Sequence, residues 1–335
     1  MTEPLPAIPP RRRGGRGAVA ARFAAHRGAV AGLLVLAAIV ALTLFGPLLH
    51  RIDPQYLDYL DRNQGMSWKH PLGTDNLGRD LLAQVLSGGR VSLAVGTSAM
   101  LLGLALGTLV GVLAGFVRWL DGPLMRLVDL FLALPLLPLL LVVIMLFRDS
   151  LRAAFGPETG IFLLIVFVIG VTSWMQTARI VRGEVLALRE QEYVLAARAI
   201  GTRPRRIVTR HILPNVLSPI VVSAALGVAN AILLESALSF LGLGFPSDFP
   251  TWGRLLFDGV NFMSLHPTRV IWPGLAISLT VLSVNYIGDG LRDAMDPRGD
   301  LPPIAGGARR NRRGRLGVLL ATRRNGRRVL QGKGE

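Results

Sequence analysis

Apolar residues in this chain come in runs too long for the core of a soluble domain. A bilayer crossing needs about 20 mostly apolar residues. Six segments reach that length: Ala29–Leu49, Val91–Val117, Leu124–Phe147, Ile161–Val181, Val216–Leu238 and Val270–Leu291. Lipid offers no hydrogen-bond partners to the backbone, so runs of this length cross as helices. The pattern therefore predicts an all-α membrane protein with six transmembrane helices. The first run is longer than the core of a secretory leader and reads as a retained span. Pro135 and Pro138 interrupt the third run. They predict a kink there, or a break that lines a substrate path.

The polar segments between the runs set the orientation. Segments 1–28, 118–123, 182–215 and 292–335, with Arg126 at the rim of the third span, hold 27 Lys and Arg; segments 50–90, 148–160 and 239–269 hold 9. Basic residues collect on the cytoplasmic side, so both termini are expected in the cytoplasm. The chain then divides into a basic N-terminal tail (1–28), a first transmembrane helix (29–49) and an extracytoplasmic segment (50–90). A five-helix core (91–291) with a cytoplasmic loop at 182–215 follows, then a basic C-terminal tail (292–335). Beyond 301 the tail is rich in Gly and Arg with little periodicity, and is expected to be disordered and drawn to anionic lipid. Within 50–90, the stretch from His70 to Leu82 predicts turns followed by a short amphipathic helix.

Composition agrees with a membrane class: the 335 residues are 51% hydrophobic and 17% charged, with mean hydropathy +0.48. The formal charge of +16 would suit nucleic acid, but residues 1–27 and 301–335 supply +14 of it. No aromatic residues interleave with those basic runs as base stacking requires, which argues against a nucleic-acid partner. With no Cys in the chain, thiolate chemistry is excluded. A phosphate-binding P-loop needs a Lys between Gly and Ser or Thr, and Lys69 and Lys333, the two lysines present, lack those neighbours. The five His are scattered without metal-ligand spacing, and no Gly-x-Ser-x-Gly elbow occurs. No catalytic residue can be nominated. Arg126 and Asp129 stand three apart and are expected to pair on one helix face. Glu235 falls near the outer end of the fifth span, and Asp289 and Arg292 at the inner end of the sixth. These groups trace no proton relay.

The most informative polar stretch is EYVLAARAIGTRPRRIVTRHILPN, Glu192 to Asn215, between the fourth and fifth spans. Glu184 to Ile200 reads as helix, and Gly201 suits a C-terminus that needs a left-handed residue. Thr202 is placed to cap the next helix, Pro204 to occupy its first turn, and Pro214 to mark the start of the fifth span. Ala196, Ala197, Ile200 and Gly201 predict one small, smooth side flanked by arginines. Such a side admits close approach by another surface, either a groove on a separate cytoplasmic protein or the protein's own membrane domain.

Ala196-Ala197-x-x-x-Gly201, followed by Leu213-Pro214, resembles the EAA loop of ABC importer permeases. The wider chain is similar to the second permease of the dipeptide/oligopeptide/nickel group, the binding-protein-dependent inner membrane component. HPLGTDNLGRD (70–80), GGRVSLAVG (88–96), MRLVDLFLALP (125–135), ESALSFLGLGF (235–245), TWGRLL (251–256) and WPGLAISLTVLSVNYIGDGLRDAMDPR (272–298) carry that resemblance. It implies a type I importer fold in a bacterial plasma membrane and a homologous second permease. It also implies two ATPase subunits that use ATP and Mg, and an extracytoplasmic solute-binding protein; this chain itself would bind no cofactor. Leu195, Ala196, Ala197, Ile200, Gly201, Thr202 and Arg203 would couple to the ATPases, and short peptides would be the cargo. Nickel, opine or glutathione import is the alternative within the group. Leu195 stands where the pattern is often acidic, and the tail after Arg298 outruns the resemblance. A secondary transporter would call for inverted repeats and paired interrupted spans, and a membrane enzyme for a catalytic constellation; the sequence offers neither.

Overall fold

The computed structural model describes residues 16–295. Most of the expected basic tails, 1–15 and 296–335, lies outside the described residues. Among the described residues the regular elements are helical, apart from one isolated bridge between Thr74 and Asp80. A short α1 (Arg16–Ala25) leads into α2 (Arg27–Leu49), α3 (Leu81–Phe116), α4 (Arg118–Ala133), α5 (Leu136–Phe155) and α6 (Pro157–Arg189). Then come α7 (Glu192–Ala199), α8 (Pro204–Ile207), α9 (Leu213–Phe240), α10 (Trp252–Val260) and α11 (Thr268–Met295). Five helices are long and apolar enough to cross a bilayer: α2, α3, α6, the run Pro204–Phe240 that joins α8 to α9, and α11. The pair of α4 and α5, bent by 87°, meets the same condition of length and composition only when its two helices are taken together.

One expectation needs correction and another is narrowed. The short amphipathic helix foreseen within 70–82 is the beginning of α3 itself, which starts ten residues before Val91. Asp80 sets that start, since its buried carboxylate accepts from the Ala83 N–H at 2.6 Å and caps the helix. Of the two readings of the third run, kink or break, the helix break is the one present, α4 and α5 meeting at 87°. Pro135 lacks an N–H and pushes Leu134 into an extended conformation (φ −76°, ψ 138°), which ends α4. Pro138 falls in the first turn of α5, where the missing donor costs nothing.

The core is built around α6, whose apolar window is 56% enclosed against 17% for the peripheral α2. Gly103, Gly107, Gly111 and Gly115 recur once per turn along α3 and face α6. A Cβ on Gly107 would sit 2.6 Å from both Thr177 Cβ and the Trp174 carbonyl oxygen; one on Gly111 would sit 2.7 Å from the Ala178 carbonyl. In lipid, where apolar burial between helices gains little, such close approach is what drives helix association. Val95, Ala99, Leu140, Ile144, Ile165, Ile169 and Leu238 fill the space between α3, α5, α6 and α9.

One face of the bundle is covered by residues 50–80. Asp80 receives His50 Nε2 at 2.9 Å and His70 Nδ1 at 2.8 Å; His70 Nε2 lies 3.3 Å from Asp61, which also takes Lys69 Nζ at 2.5 Å. Arg269 of α11 reaches into this segment, bonding Asn63 Oδ1 and the Thr74 carbonyl. At the opposite face, Arg22 Nη1 donates to the Ala294 carbonyl at 3.5 Å and His26 Nε2 lies 3.8 Å from Asp293. The start of α2 and the end of α11 therefore share a side. On that side α6 is tied to α4. Arg182 grips Asp121 with two nitrogens, Nη2 to Oδ2 being 2.8 Å, and Arg179 meets Asp129 at 2.5 Å. The local pairing expected between Arg126 and Asp129 gives way to this cross-helix contact, which braces two helices instead of one.

Within the bundle, Glu235 of α9 is fully buried. Its carboxyl accepts from Ser239 Oγ at 2.8 Å and Ser92 Oγ at 3.2 Å, and Ser92 Oγ in turn accepts from the Trp252 N–H at 3.2 Å. One side chain thus links α9, α3 and α10, which is how a buried polar group avoids the full cost of leaving water.

Candidate coupling turn

The turn between α6 and α9 is set by local backbone chemistry. The helix expected from Glu184 to Ile200 is divided: α6 stops at Arg189, Gln191 is extended (φ −72°, ψ 143°), and α7 begins at Glu192. At its far end α7 closes with a paired hydrogen-bond motif. The Thr202 N–H donates to the Ala197 carbonyl at 3.0 Å and the Gly201 N–H to the Arg198 carbonyl at 2.9 Å. Both bonds require a left-handed residue between them, and Gly201 supplies it with φ +76°. A Cβ at Gly201 would meet nothing within 4 Å, so glycine is needed there for conformation and not for space.

The second helix begins as foreseen at Pro204. Its cap position is Arg203, however, not Thr202, and no side chain satisfies the first N–H groups. Thr202 is drawn back into the closure of α7 instead. Pro214 does not interrupt the chain. Val208–Ile212 widens into a π turn, in which the Leu213 N–H bonds the Val208 carbonyl. The wider turn accommodates a proline ring that would crowd the carbonyl four residues back. The outcome is one helical rod from Pro204 to Phe240, 37 residues long, of which α9 makes up 28.

Each nominated residue has a definite place. Ile200 is 82% exposed and Leu195 44%, with Ala196, Gly201 and Arg203 also exposed and Thr202 half-buried. Ala197 turns inward, 7% exposed, so the small side expected from Ala196 and Ala197 together is split between two faces. Inward, Ala197 and Val194 pack on Val181 and Val185 of α6, on Ile207, and on Ile212, Val216 and Ile220 leading into α9. Sequence reasoning overlooked Val194 and Ile207; the three-residue spacing of Val194 and Ala197 on α7 was the available signal. Arg189 Nη1 bonds the Gly115 carbonyl at 3.0 Å, and the Arg198 guanidinium stacks 5.5 Å over the Phe116 ring, fastening the turn to the end of α3. Arg203, Arg205, Arg206 and Arg210, which follow Ile200 in the chain, are exposed.

This arrangement is mechanical. The exposed face is apolar at its centre and cationic at its rim, and it can dock a partner. The inward face packs on α6 and on the start of α9, so the turn is in contact with both spans. Among the described residues no group of three or more His, Asp or Glu is placed to hold a metal ion.

The fold and the turn define a multi-pass transport subunit, and comparison with known proteins specifies which. Residues 103–300 match the model of the binding-protein-dependent transport system inner membrane component, and residues 17–65 that of the N-terminal transmembrane domain of oligopeptide transport permease C. The chain belongs to the family of binding-protein-dependent transport system inner membrane components. It is 39% identical over 271 residues to the dipeptide transport system permease protein DppC of Alkalihalophilus pseudofirmus, covering 81% of this chain and 86% of that one. It is 36% identical over 279 residues to the oligopeptide transport system permease protein OppC of Bacillus subtilis, covering 83% and 88%. A solved structure of the MetNI methionine ABC transporter, in inward-facing conformations, matches with TM-score 0.51 and 21% identity over 64% of this chain and 97% of that chain. At that identity the match establishes the type I importer fold alone.

Proposed function

We propose that this chain is one of two homologous permeases in an ATP-driven importer of short peptides, with both termini in the cytoplasm of a bacterium. A solute-binding protein delivers cargo at the face covered by residues 50–80. Two ATPase subunits engage the turn around Leu195, Ala196, Ile200, Gly201 and Arg203 at the other, and ATP and Mg are theirs. Ala197 and Thr202 serve from within, holding the turn's shape against α6. The peptide cargo is supported by the relatives named for dipeptide and oligopeptide transport.

The observation that carries this reading is the exposed Ile200–Gly201 corner continuous with the Pro204–Phe240 rod. A loop meant only to connect two spans has no reason to expose an isoleucine and to transmit its position rigidly into the membrane. When the ATPases close on ATP, the corner is carried with them, and α6 and α9 shift toward the alternative opening of the pathway. ATP acts by changing the relative stability of the two conformations. Gly201→Trp places a large side chain on the docking corner and strains a left-handed residue, while nothing within 4 Å of Cβ belongs to the membrane bundle. In reconstituted vesicles the variant is expected to keep its span packing and lose ATP-driven uptake, with ATPase activity uncoupled or the ATPases released. Uptake equal to wild type refutes the role of the corner.

A further inference from the structure

At the face away from the coupling turn, a cavity of about 20 Å³ lies among Asp75, Asn76, Arg79, Gln84, Asp258 and Arg269. That is room for one or two particles the size of water. Arg269 is 96% buried. Its Nη2 is used by Asn63 and the Thr74 carbonyl, and its guanidinium carbon stacks 4.8 Å from the centre of the Phe262 ring. Its Nε and Nη1 have no acceptor among the described residues. Three buried N–H bonds of a cation that lines this small cavity are thus unpaired.

The two carboxylates nearby do not serve them. Asp75 is saturated: Oδ1 accepts the N–H groups of Leu77 at 2.8 Å and Arg79 at 2.9 Å, and Oδ2 accepts Arg79 Nε at 2.6 Å and Gln84 Nε2 at 3.3 Å. Asp258 is held by two nitrogens of Arg254, Nη2 to Oδ1 at 2.9 Å and Nε to Oδ2 at 3.2 Å. Each carboxylate is engaged directly by its own arginine, so Arg269 feels Asp75 through space but has no direct ion pair among the described residues. A buried cation whose N–H groups lack direct partners is destabilising.

We propose that this cavity is an anion site, built to hold one small monatomic anion of the chloride class against Arg269 Nε and Nη1. Its small volume suits a single ion. The carboxamides of Asn76 and Gln84 line the same space and can add N–H donors. Because Arg269 also bonds Asn63 and Thr74, the anion fastens the outer segment to α11, so chloride becomes a structural ligand of the outer face.

The test uses the full chain purified in mild detergent with the subunits that accompany it. Its unfolding midpoint is followed as sodium chloride replaces sodium gluconate at constant ionic strength. A saturable rise with chloride is expected in wild type, and its loss in Arg269→Gln. No rise in wild type, or the same rise in the variant, overturns the site. Should Arg269→Gln fail to fold, radioactive chloride binding to the wild-type protein decides. One ion per chain, displaced by bromide but not by gluconate, supports the proposal; none retained refutes it.

Discussion

Gly107→Ala probes the packing that holds α3 to α6. The new Cβ would lie 2.6 Å from Thr177 Cβ and 2.6 Å from the Trp174 carbonyl oxygen. Carbon atoms are comfortable at about 3.5–4.0 Å, so the overlap is about 1 Å. It falls on a backbone carbonyl and a β-carbon, neither of which can swing away, so the helices must separate locally. Overpacking of this kind costs about 1–3 kcal/mol, and two short contacts place Gly107 near the top of that range. Alanine recovers about 1 kcal/mol in helix propensity, leaving about 2 kcal/mol of net destabilisation. Gly111→Ala, at 2.7 Å from both the Ala178 carbonyl and Val181 Cβ, should cost a similar amount. One separation relieves both clashes, so the double variant should cost clearly less than the sum of the singles. Gly183→Ala on exposed α6 surface, where a Cβ meets nothing within 4 Å, is the control and should stabilise by up to about 1 kcal/mol. Unfolding of the purified protein in mild detergent, read by tryptophan fluorescence, reports all four, and the buried Trp174 lies at the perturbed contact. Full additivity, or alanines at 107 and 111 that match wild type, would refute close glycine packing as what joins these helices.

Three further outcomes are expected. Glu235→Leu should strand the Ser92 and Ser239 hydroxyls and lower stability by about 1–3 kcal/mol, whereas Glu235→Gln, which keeps an acceptor oxygen, should cost less; equal losses in the same unfolding assay contradict the hydrogen-bond account. Hydrogen bonding from Lys69, with a further contribution from His70, holds the Asp61 carboxyl below the usual carboxylate range despite some desolvation. Its stabilising effect on segment 50–80 is therefore complete above the ordinary carboxylate pKa and fades as the pH falls through the lower folded value; Asp61→Asn should remove that acid-side dependence in limited proteolysis of residues 50–80. Deleting 306–335 should leave transport intact if the basic tail serves only lipid attraction, and loss of the assembled complex on deletion would assign it a partner.

The spans were legible because apolar length is a composition signal: five of the six predicted runs lie, to within a residue, inside helices long and apolar enough to cross a bilayer, while the third is divided between α4 and α5. Their ends were less legible where a single side chain decides them: Asp80 starts α3 early, and Pro135 makes the third run a break and not a kink. Gly201 could be read from sequence because its role is local, closing α7 with a left-handed residue. The inward turn of Ala197 could not, since which face of a short helix meets α6 depends on packing with Val181 and Val185. The four-residue spacing of Gly103, Gly107, Gly111 and Gly115 was available in the sequence but says nothing of its partner helix. Glu235 and Asp129 find partners on other helices, Ser92 and Arg179, which local spacing does not reveal; the Arg126–Asp129 expectation erred for that reason.

The account's central claim is that the exposed corner at Ile200 and Gly201 docks ATPase subunits and carries their motion into α6 and α9. Its most direct test is affinity purification of this chain from cells that express its native neighbours, in mild detergent, with mass spectrometry of what accompanies it, for wild type and Gly201→Trp. The account predicts a homologous permease with both proteins, and P-loop ATPases that come with wild type and are lost or uncoupled in the variant. A wild-type chain that purifies folded but alone, under conditions that keep a known ABC complex together, would contradict it.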